Sequence, residues 1–77
     1  MKKIIDLHGY TIDEAKTTLE IILSSNINKY DFVEVIHGYN NGRKIKDFLK
    51  NYKHQKISYV SQLDSGKTVF HLKKRLK

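Results

Sequence analysis

The fold is decided by residues 4–15, which read IIDLHGYTIDEA. The apolar residues Ile4, Ile5 and Leu7 are typical of a short strand, and the His-Gly pair at residues 8–9 ends it. Thr11 and Glu14 stand three residues apart, which is the spacing of a capping box at the start of a helix. The stretch therefore predicts a strand, a glycine turn and a helix in immediate succession.

The same alternation continues along the rest of the chain. The helix is expected to run to about Ser24, and a second strand, 32–36, ends at another His-Gly pair, residues 37–38. A second helical pattern leads to strands at 57–60 and 68–72, which a turn separates. The core side of the two helices is expected to carry Ile12, Ala15, Leu19, Ile22, Leu23, Ile45, Phe48, Leu49 and Tyr52.

This order, βαβαββ, predicts an α/β fold, a two-layer sandwich with a mixed four-stranded sheet. Strands joined through a helix are normally parallel, and the last tight turn makes the final pair antiparallel. Parallel strands end at the same edge of a sheet, so the two His-Gly pairs should meet there. Ligands of open α/β sheets bind beyond such strand ends, where helix N-termini offer unpaired N–H groups to anions.

Composition points to a small, basic domain. The chain has 77 residues, and we expect residues 1–77 to form one domain, because no proline, linker or repeat interrupts it. Its formal net charge of +7 favours polyanionic partners, although a solvated lysine-rich surface would have the same composition. The absence of cysteine excludes disulfides and thiolate metal sites. With no signal peptide or membrane span visible, a cytoplasmic location and no membrane partner are expected.

Acid–base chemistry is suggested by the first strand. Its period of two puts Asp6 and His8 on one face, where the carboxylate can orient the imidazole. The alternative is structural: Asp6 would cap a neighbouring backbone group, while His8 and His37 would simply end strands. Both interpretations remain open from spacing alone.

Three ordered motifs resemble the Smr (small MutS-related) family. Residues 5–9, IDLHG, are similar to its Leu-Asp-Leu-His-Gly signature, and residues 37–42, HGYNNG, to its His-Gly-x-Gly-x-Gly signature. Asn40 replaces the middle glycine, and asparagine tolerates left-handed backbone better than most residues. The family's closing pattern is similar to Gly66, Thr68, Val69, Leu72 and Lys73.

The resemblance implies a fold like the C-terminal domain of translation initiation factor 3, and binding or endonucleolytic cleavage of RNA or DNA. Alternatives are a non-catalytic nucleic-acid binder and a module that docks on a ribosome or repair complex, for which an exposed Phe70 or Tyr59 would serve. The residues expected to carry catalysis are Asp6, His8 and His37. Those expected to contact nucleic acid are Gly9, Gly38, Tyr39, Asn40, Asn41, Gly42, Arg43, Lys44 and Lys46.

The residue inventory favours RNA over DNA as the substrate. RNA supplies its own nucleophile, the 2′-hydroxyl, so a histidine base, a histidine acid and a cationic cradle could suffice. A two-metal mechanism needs clustered carboxylates, and Asp6 is the only acid next to the expected site. No cofactor or resident metal is therefore predicted, and a divalent metal would enter only if DNA is cut.

Overall fold

The structure, a computed structural model, describes residues 1–38, 42–64 and 66–73, with the backbone alone at 42 and 43. These residues form four strands and two helices in the predicted order. The elements are β1 (Lys2–Asp6), α1 (Ile12–Ser24), β2 (Phe32–Ile36), α2 (Gly42–Lys50), β3 (Ile57–Asp64) and β4 (Lys67–Leu72).

The four strands form one mixed sheet in the order β1-β2-β4-β3. β1 and β2 are parallel, whereas β4 is antiparallel to both of its neighbours. The last strand therefore lies inside the sheet, and β3 runs parallel to β2 without touching it. The predicted α/β class and mixed sheet are confirmed.

The start of α1 is fixed by the predicted capping box. The Glu14 backbone N–H donates to the Thr11 hydroxyl at 3.1 Å, and the Thr11 N–H donates to the Glu14 carboxylate at 2.9 Å. Two of the helix's otherwise unpaired donors are thereby occupied. Ile12, predicted to be a core residue, is instead exposed, because it lies in the first turn before the helix reaches the sheet.

The hydrophobic core lies between the two helices and one face of the sheet. Apolar residues from α1 and α2 pack with alternate strand residues into a single cluster. Phe70 is fully buried in this cluster, so its predicted alternative role on an exposed face is wrong. The cluster comprises Ile5, Leu7, Ala15, Leu19, Leu23, Ile27, Val33, Val35, Ile45, Leu49, Ile57, Phe70 and Leu72.

The opposite face of the sheet carries no helix among the described elements, and we call it the open face. Strand residues that alternate with the core positions point to it. It includes Lys2, Ile4, Asp6, Phe32, Glu34, Tyr59, Ser61, Asp64, Lys67, Val69 and His71. Within the described residues, no helix is both long and apolar enough to cross a membrane.

Candidate functional site

The carboxyl ends of β1 and β2 form the candidate site. The Leu7 N–H donates to the Ile36 carbonyl at 2.7 Å, which continues the parallel pairing one residue beyond β1. The chain then turns sharply, because the Tyr10 N–H donates to the Leu7 carbonyl and Gly9 has a φ of 81°. A side chain at that φ would be strained, so the glycine allows His8 to stand at the sheet edge.

Asp6 and His8 form an exposed hydrogen-bonded pair. The Oδ1 atom of Asp6 lies 3.0 Å from Nδ1 of His8, and their side chains are 56% and 73% exposed. The same Oδ1 accepts the His8 backbone N–H at 3.0 Å. The carboxylate thus holds a proton on Nδ1 and leaves Nε2 on the solvent side of the ring as a proton acceptor. Asp6 therefore both caps a backbone N–H and orients the imidazole, so the two alternatives given for it occur together.

The hydrogen bonds from His8 lower the pKa of the Asp6 carboxyl below its usual value of 3.8. The backbone N–H of His8 is the largest cause, followed by its ring, while partial desolvation opposes both. A carboxylate that accepts such bonds is stabilised in its charged form. Asp6 is therefore an anion at neutral pH and can stabilise a positive charge on the neighbouring imidazole.

His37 lies in a different environment from His8, because only 1% of its surface is exposed. Its Nε2 lies 3.0 Å from the Thr68 hydroxyl, and its Nδ1 lies 3.2 Å from the Gly38 carbonyl. Since a carbonyl can only accept, Nδ1 carries the proton and Nε2 accepts from Thr68. Both ring nitrogens are engaged inside the protein, which argues for a structural role rather than the predicted proton transfer.

Gly38 brings the second His-Gly pair beside the first. Its φ is 80°, and a Cβ added there would lie 3.5 Å from the Cβ of His8. The N–H groups of His37 and Gly38 both donate to the Gly66 carbonyl, at 2.9 and 3.2 Å. The predicted meeting of the two pairs is confirmed, and a turn residue from the other end of the chain holds the second pair in place.

The first turn of α2 is the basic segment that the sequence predicts for the site. The helix begins at Gly42, Lys44 is exposed, Lys46 is half-buried, and its first turn contains no acidic residue. The first turn of α1, by contrast, contains two acids and a capping box. Helix N-termini attract anions, so α2 is the more favourable of the two for a phosphate. Tyr39, Asn40 and Asn41, and the side chain of Arg43, lie outside the described residues.

Two residues near this edge were missed by sequence reasoning. Thr68 is fully buried and fixes the His37 ring, and Lys67 is paired in register with Ile36, which is itself paired with Asp6. Adjacent strands lie about 4.8 Å apart, so Lys67 is about 10 Å across the open face from Asp6. Thr68 and Lys67 are both some 30 positions along the chain from the β2 end that they adjoin. Only the pairing of β4 with β2 therefore reveals them.

Groups of three or more metal-binding side chains were not found among residues 1–38, 42–64 and 66–73. The Asp6–His8 pair therefore stands without a third ligand of that kind in the part of the chain that the structure describes.

A profile for the Smr domain matches residues 5–70, which is most of the 77-residue chain. The match covers both His-Gly pairs, α2 and β4 as far as Phe70. The chain therefore belongs to the Smr domain family, a nucleic-acid-binding and endonuclease-type family. Comparison with curated proteins and with solved structures gave no significant match.

Proposed function

We propose that this Smr domain binds RNA at the carboxyl edge of β1 and β2 and cleaves it there. The observation that carries the proposal is the 3.0 Å contact between Asp6 Oδ1 and His8 Nδ1, with the imidazole largely exposed. An oriented histidine with a free acceptor nitrogen is the usual general base for a hydroxyl group. In this proposal, an RNA strand whose phosphates bind at the start of α2 brings a 2′-hydroxyl to His8.

The proposed reaction uses the 2′-hydroxyl of RNA as nucleophile. His8 Nε2 takes the hydroxyl proton while the 2′-oxygen bonds to the adjacent phosphorus. The bond from phosphorus to the 5′-oxygen breaks, and that oxygen takes a proton from a water molecule. The hydroxide left behind is neutralised by the proton that His8 Nε2 then releases. The products are a 2′,3′-cyclic phosphate and a 5′-hydroxyl end. Ionised Asp6 stabilises the imidazolium that forms, because an opposite charge at contact distance favours the protonated ring.

Phosphate binding is assigned to the basic side of the site. The proposed phosphate contacts are the N-terminus of α2, Lys44 in its first turn, and Lys67 on the open face of the sheet. Lys46 adds charge on the same helix. In this arrangement His37 transfers no proton and instead holds the Gly38 carbonyl, which keeps the backbone next to His8 in shape.

Cleavage of end-labelled single-stranded RNA by purified protein tests the proposal. We expect His8→Ala to reduce the cleavage rate by roughly 10²- to 10⁴-fold, the usual contribution of a general base. Asp6→Asn should also reduce it strongly, because the amide cannot stabilise the imidazolium. Binding of the same RNA should change little, since the lysines that contact phosphate are untouched.

The matched control is Asp13→Asn, which removes an exposed carboxylate from the first turn of α1. It should cleave like the wild type. Undiminished cleavage by a variant lacking both Asp6 and His8 side-chain functions would contradict the proposed chemistry. Binding without cleavage by the wild type would indicate the non-catalytic alternative, and a 2′-deoxy substrate that is cut equally fast would exclude the 2′-hydroxyl as nucleophile.

A further inference from the structure

Tyr59 is a large aromatic residue on the open face that the proposed site does not use. It is 58% exposed although it lies in the interior of β3. Its ring stacks on that of His71, with centroids 4.0 Å apart and planes within 9° of each other. The His71 ring covers only one face of the Tyr59 ring. We therefore take the exposed surface of Tyr59 to include the other face of its ring.

The ring pair is held in a defined orientation. His71 Nε2 lies 2.8 Å from the Ser61 hydroxyl, and the edge of its ring meets Phe32 with centroids 5.2 Å apart. Register places Tyr59, His71 and Phe32 in one row across three strands. Aromatic rings fixed in this way bind a further ring at little entropic cost, because their own rotamers are already restricted.

Positive charge lies in a groove that Tyr59 helps to line. A groove along the edge strand β3 is lined by Lys50, Lys53, His54 and Tyr59, together with apolar and hydroxyl-bearing residues and without any acid. Lys50 and Lys53 are both exposed. An exposed aromatic residue that shares a groove with two lysines is a combination that suits single-stranded nucleic acid, in which bases stack and phosphates pair with lysine.

We propose that Tyr59, Lys50 and Lys53 form a second nucleic-acid contact, which stacks one unpaired base on Tyr59 and holds the flanking phosphates. The inference rests on the proposed function, because it names single-stranded rather than double-stranded nucleic acid as what that site receives. A base inside a duplex has no free face for the ring. The charge of the groove favours this occupant over an apolar protein surface or a second copy of the chain.

The second contact is far enough from His8 to select for length. Tyr59 is in register with His71, Phe32 and Lys2, so it is three strands and four residues away from Asp6. With about 4.8 Å between strands and about 3.3 Å per residue, the separation is roughly 20 Å. A strand bound at both places must therefore cross the open face, and oligonucleotides too short to span it should lose the second contact.

Anisotropy titrations with labelled single-stranded RNA and with the matching duplex test this inference. Tyr59→Ala should weaken single-strand binding by roughly 5- to 150-fold, the range for one stacked base, and should leave duplex binding within about twofold. Tyr59→Phe should bind like the wild type, because the ring is kept. An RNA carrying 2-aminopurine should show quenched fluorescence on binding to the wild type and to Tyr59→Phe, and no quenching with Tyr59→Ala.

Leu63→Ala is the matched control for lost apolar surface. Leu63 lies on the same strand and is 56% exposed, yet it has no aromatic ring, so this variant should bind like the wild type. Replacing Lys50 and Lys53 together by alanine should lower the slope of log affinity against log salt by about 1.4 for single strands. Replacing Lys16 and Lys29 by alanine removes the same charge elsewhere and should lower it less.

The outcomes separate this inference from the proposed function. Wild-type protein that binds no nucleic acid at low salt contradicts both. Wild-type binding that Tyr59→Ala leaves unchanged overturns only the second contact. Equal losses for Tyr59→Ala and Leu63→Ala, or a wild-type dimer that Tyr59→Ala converts to monomer in sedimentation, would show that the open face docks on protein instead. Tyr59→Leu guards against misfolding, because it keeps apolar bulk and should still lose the quenching.

Discussion

A single carboxylate oxygen organises the reacting residue. Oδ1 of Asp6 accepts hydrogen bonds from both the backbone and the ring of His8, each at 3.0 Å. The backbone bond fixes where Asp6 points, and the ring bond then fixes where His8 points. This shared acceptor explains why the pair can stay ordered although both side chains are well exposed.

The shared acceptor predicts how the pKa of Asp6 responds to mutation. His8→Ala should raise the pKa of the Asp6 carboxyl only part of the way to its usual 3.8, because the backbone N–H, the largest cause of the lowering, remains. The measurement is a titration of the carboxyl carbon shifts by NMR. A pKa in His8→Ala equal to that of an exposed aspartate would show that the backbone bond contributes nothing.

The lowered pKa also fixes the sign of a contribution to stability. Ionised Asp6 favours the folded state above pH 3.8, and this contribution is lost as the pH falls through the lower folded-state pKa. Its size is limited by solvent, since the pair is exposed.

Sequence reasoning predicted Asp6 and His8 as a pair, because a period of two is a local property of a strand. It treated His37 as an equivalent of His8, and here the difference is tertiary. His37 is covered because β4 pairs with β2 and brings Thr68 beneath the ring. Nothing within a few residues of His37 reports that pairing, so its burial could not be inferred from the His-Gly motif.

At the scale of elements, the segment that follows α2 is joined to α1 by a polar contact at the edge of the core. The Tyr52 hydroxyl donates to the Glu20 carboxylate at 2.9 Å, and the Tyr52 ring stacks on Phe70 with centroids 5.7 Å apart. Desolvation and the bond to Glu20 raise the pKa of Tyr52 to about 12. The segment that follows α2 is therefore tied both to α1 and to the sheet.

This contact predicts a loss of stability at high pH. A tyrosine whose pKa rises on folding stabilises the protein fully below its unfolded pKa of about 10, and the contribution disappears as the pH rises towards 12. Denaturant unfolding at a series of pH values should therefore show a decline between pH 10 and 12. Tyr52→Phe should unfold with about 1 kcal/mol less at neutral pH and should lack the part of that decline due to Tyr52. An unaltered decline would assign it to other groups.

The number, type and order of the helices and strands were largely predictable from the sequence. The residues at which they end were less predictable. Local signals fixed the helix starts and β2, whereas β3 extends four residues beyond the predicted Val60, to Asp64. The extension exists because β4 supplies pairing partners along it, with register irregularities near Ser58 and Leu63. Because the pairing partners come from another part of the chain, the residue pattern of β3 alone underestimates its length.

Across the whole molecule, excess positive charge should govern association with nucleic acid. Replacing Lys44 and Lys46 by glutamate should weaken binding to unrelated RNA sequences to a similar extent, because phosphates carry no sequence information. For wild-type protein, affinity should fall steeply with salt, by a slope of about 0.7 to 0.9 per phosphate contact. Titrations at several salt concentrations measure both effects.

Reversal of two exposed lysines that are not among the proposed contacts, Lys16 and Lys29, gives the same change of net charge and is the control. It should lower affinity less at each salt concentration. Equal losses for the two double variants would mean that net charge alone drives binding. Affinity that does not depend on salt would contradict an electrostatic interface altogether.

The order of strands in the sheet also determines when the molecule can assemble during its own synthesis. β4 is made last, yet it joins β2 to β3 and contributes Phe70 to the centre of the core. Until residue 72 has left the ribosome, β3 has no strand to pair with, and the core formed by the earlier elements lacks Phe70 and Leu72. Folding must therefore wait for the end of translation of this domain, and a chain terminated before β4 would expose two unpaired strand edges that invite aggregation.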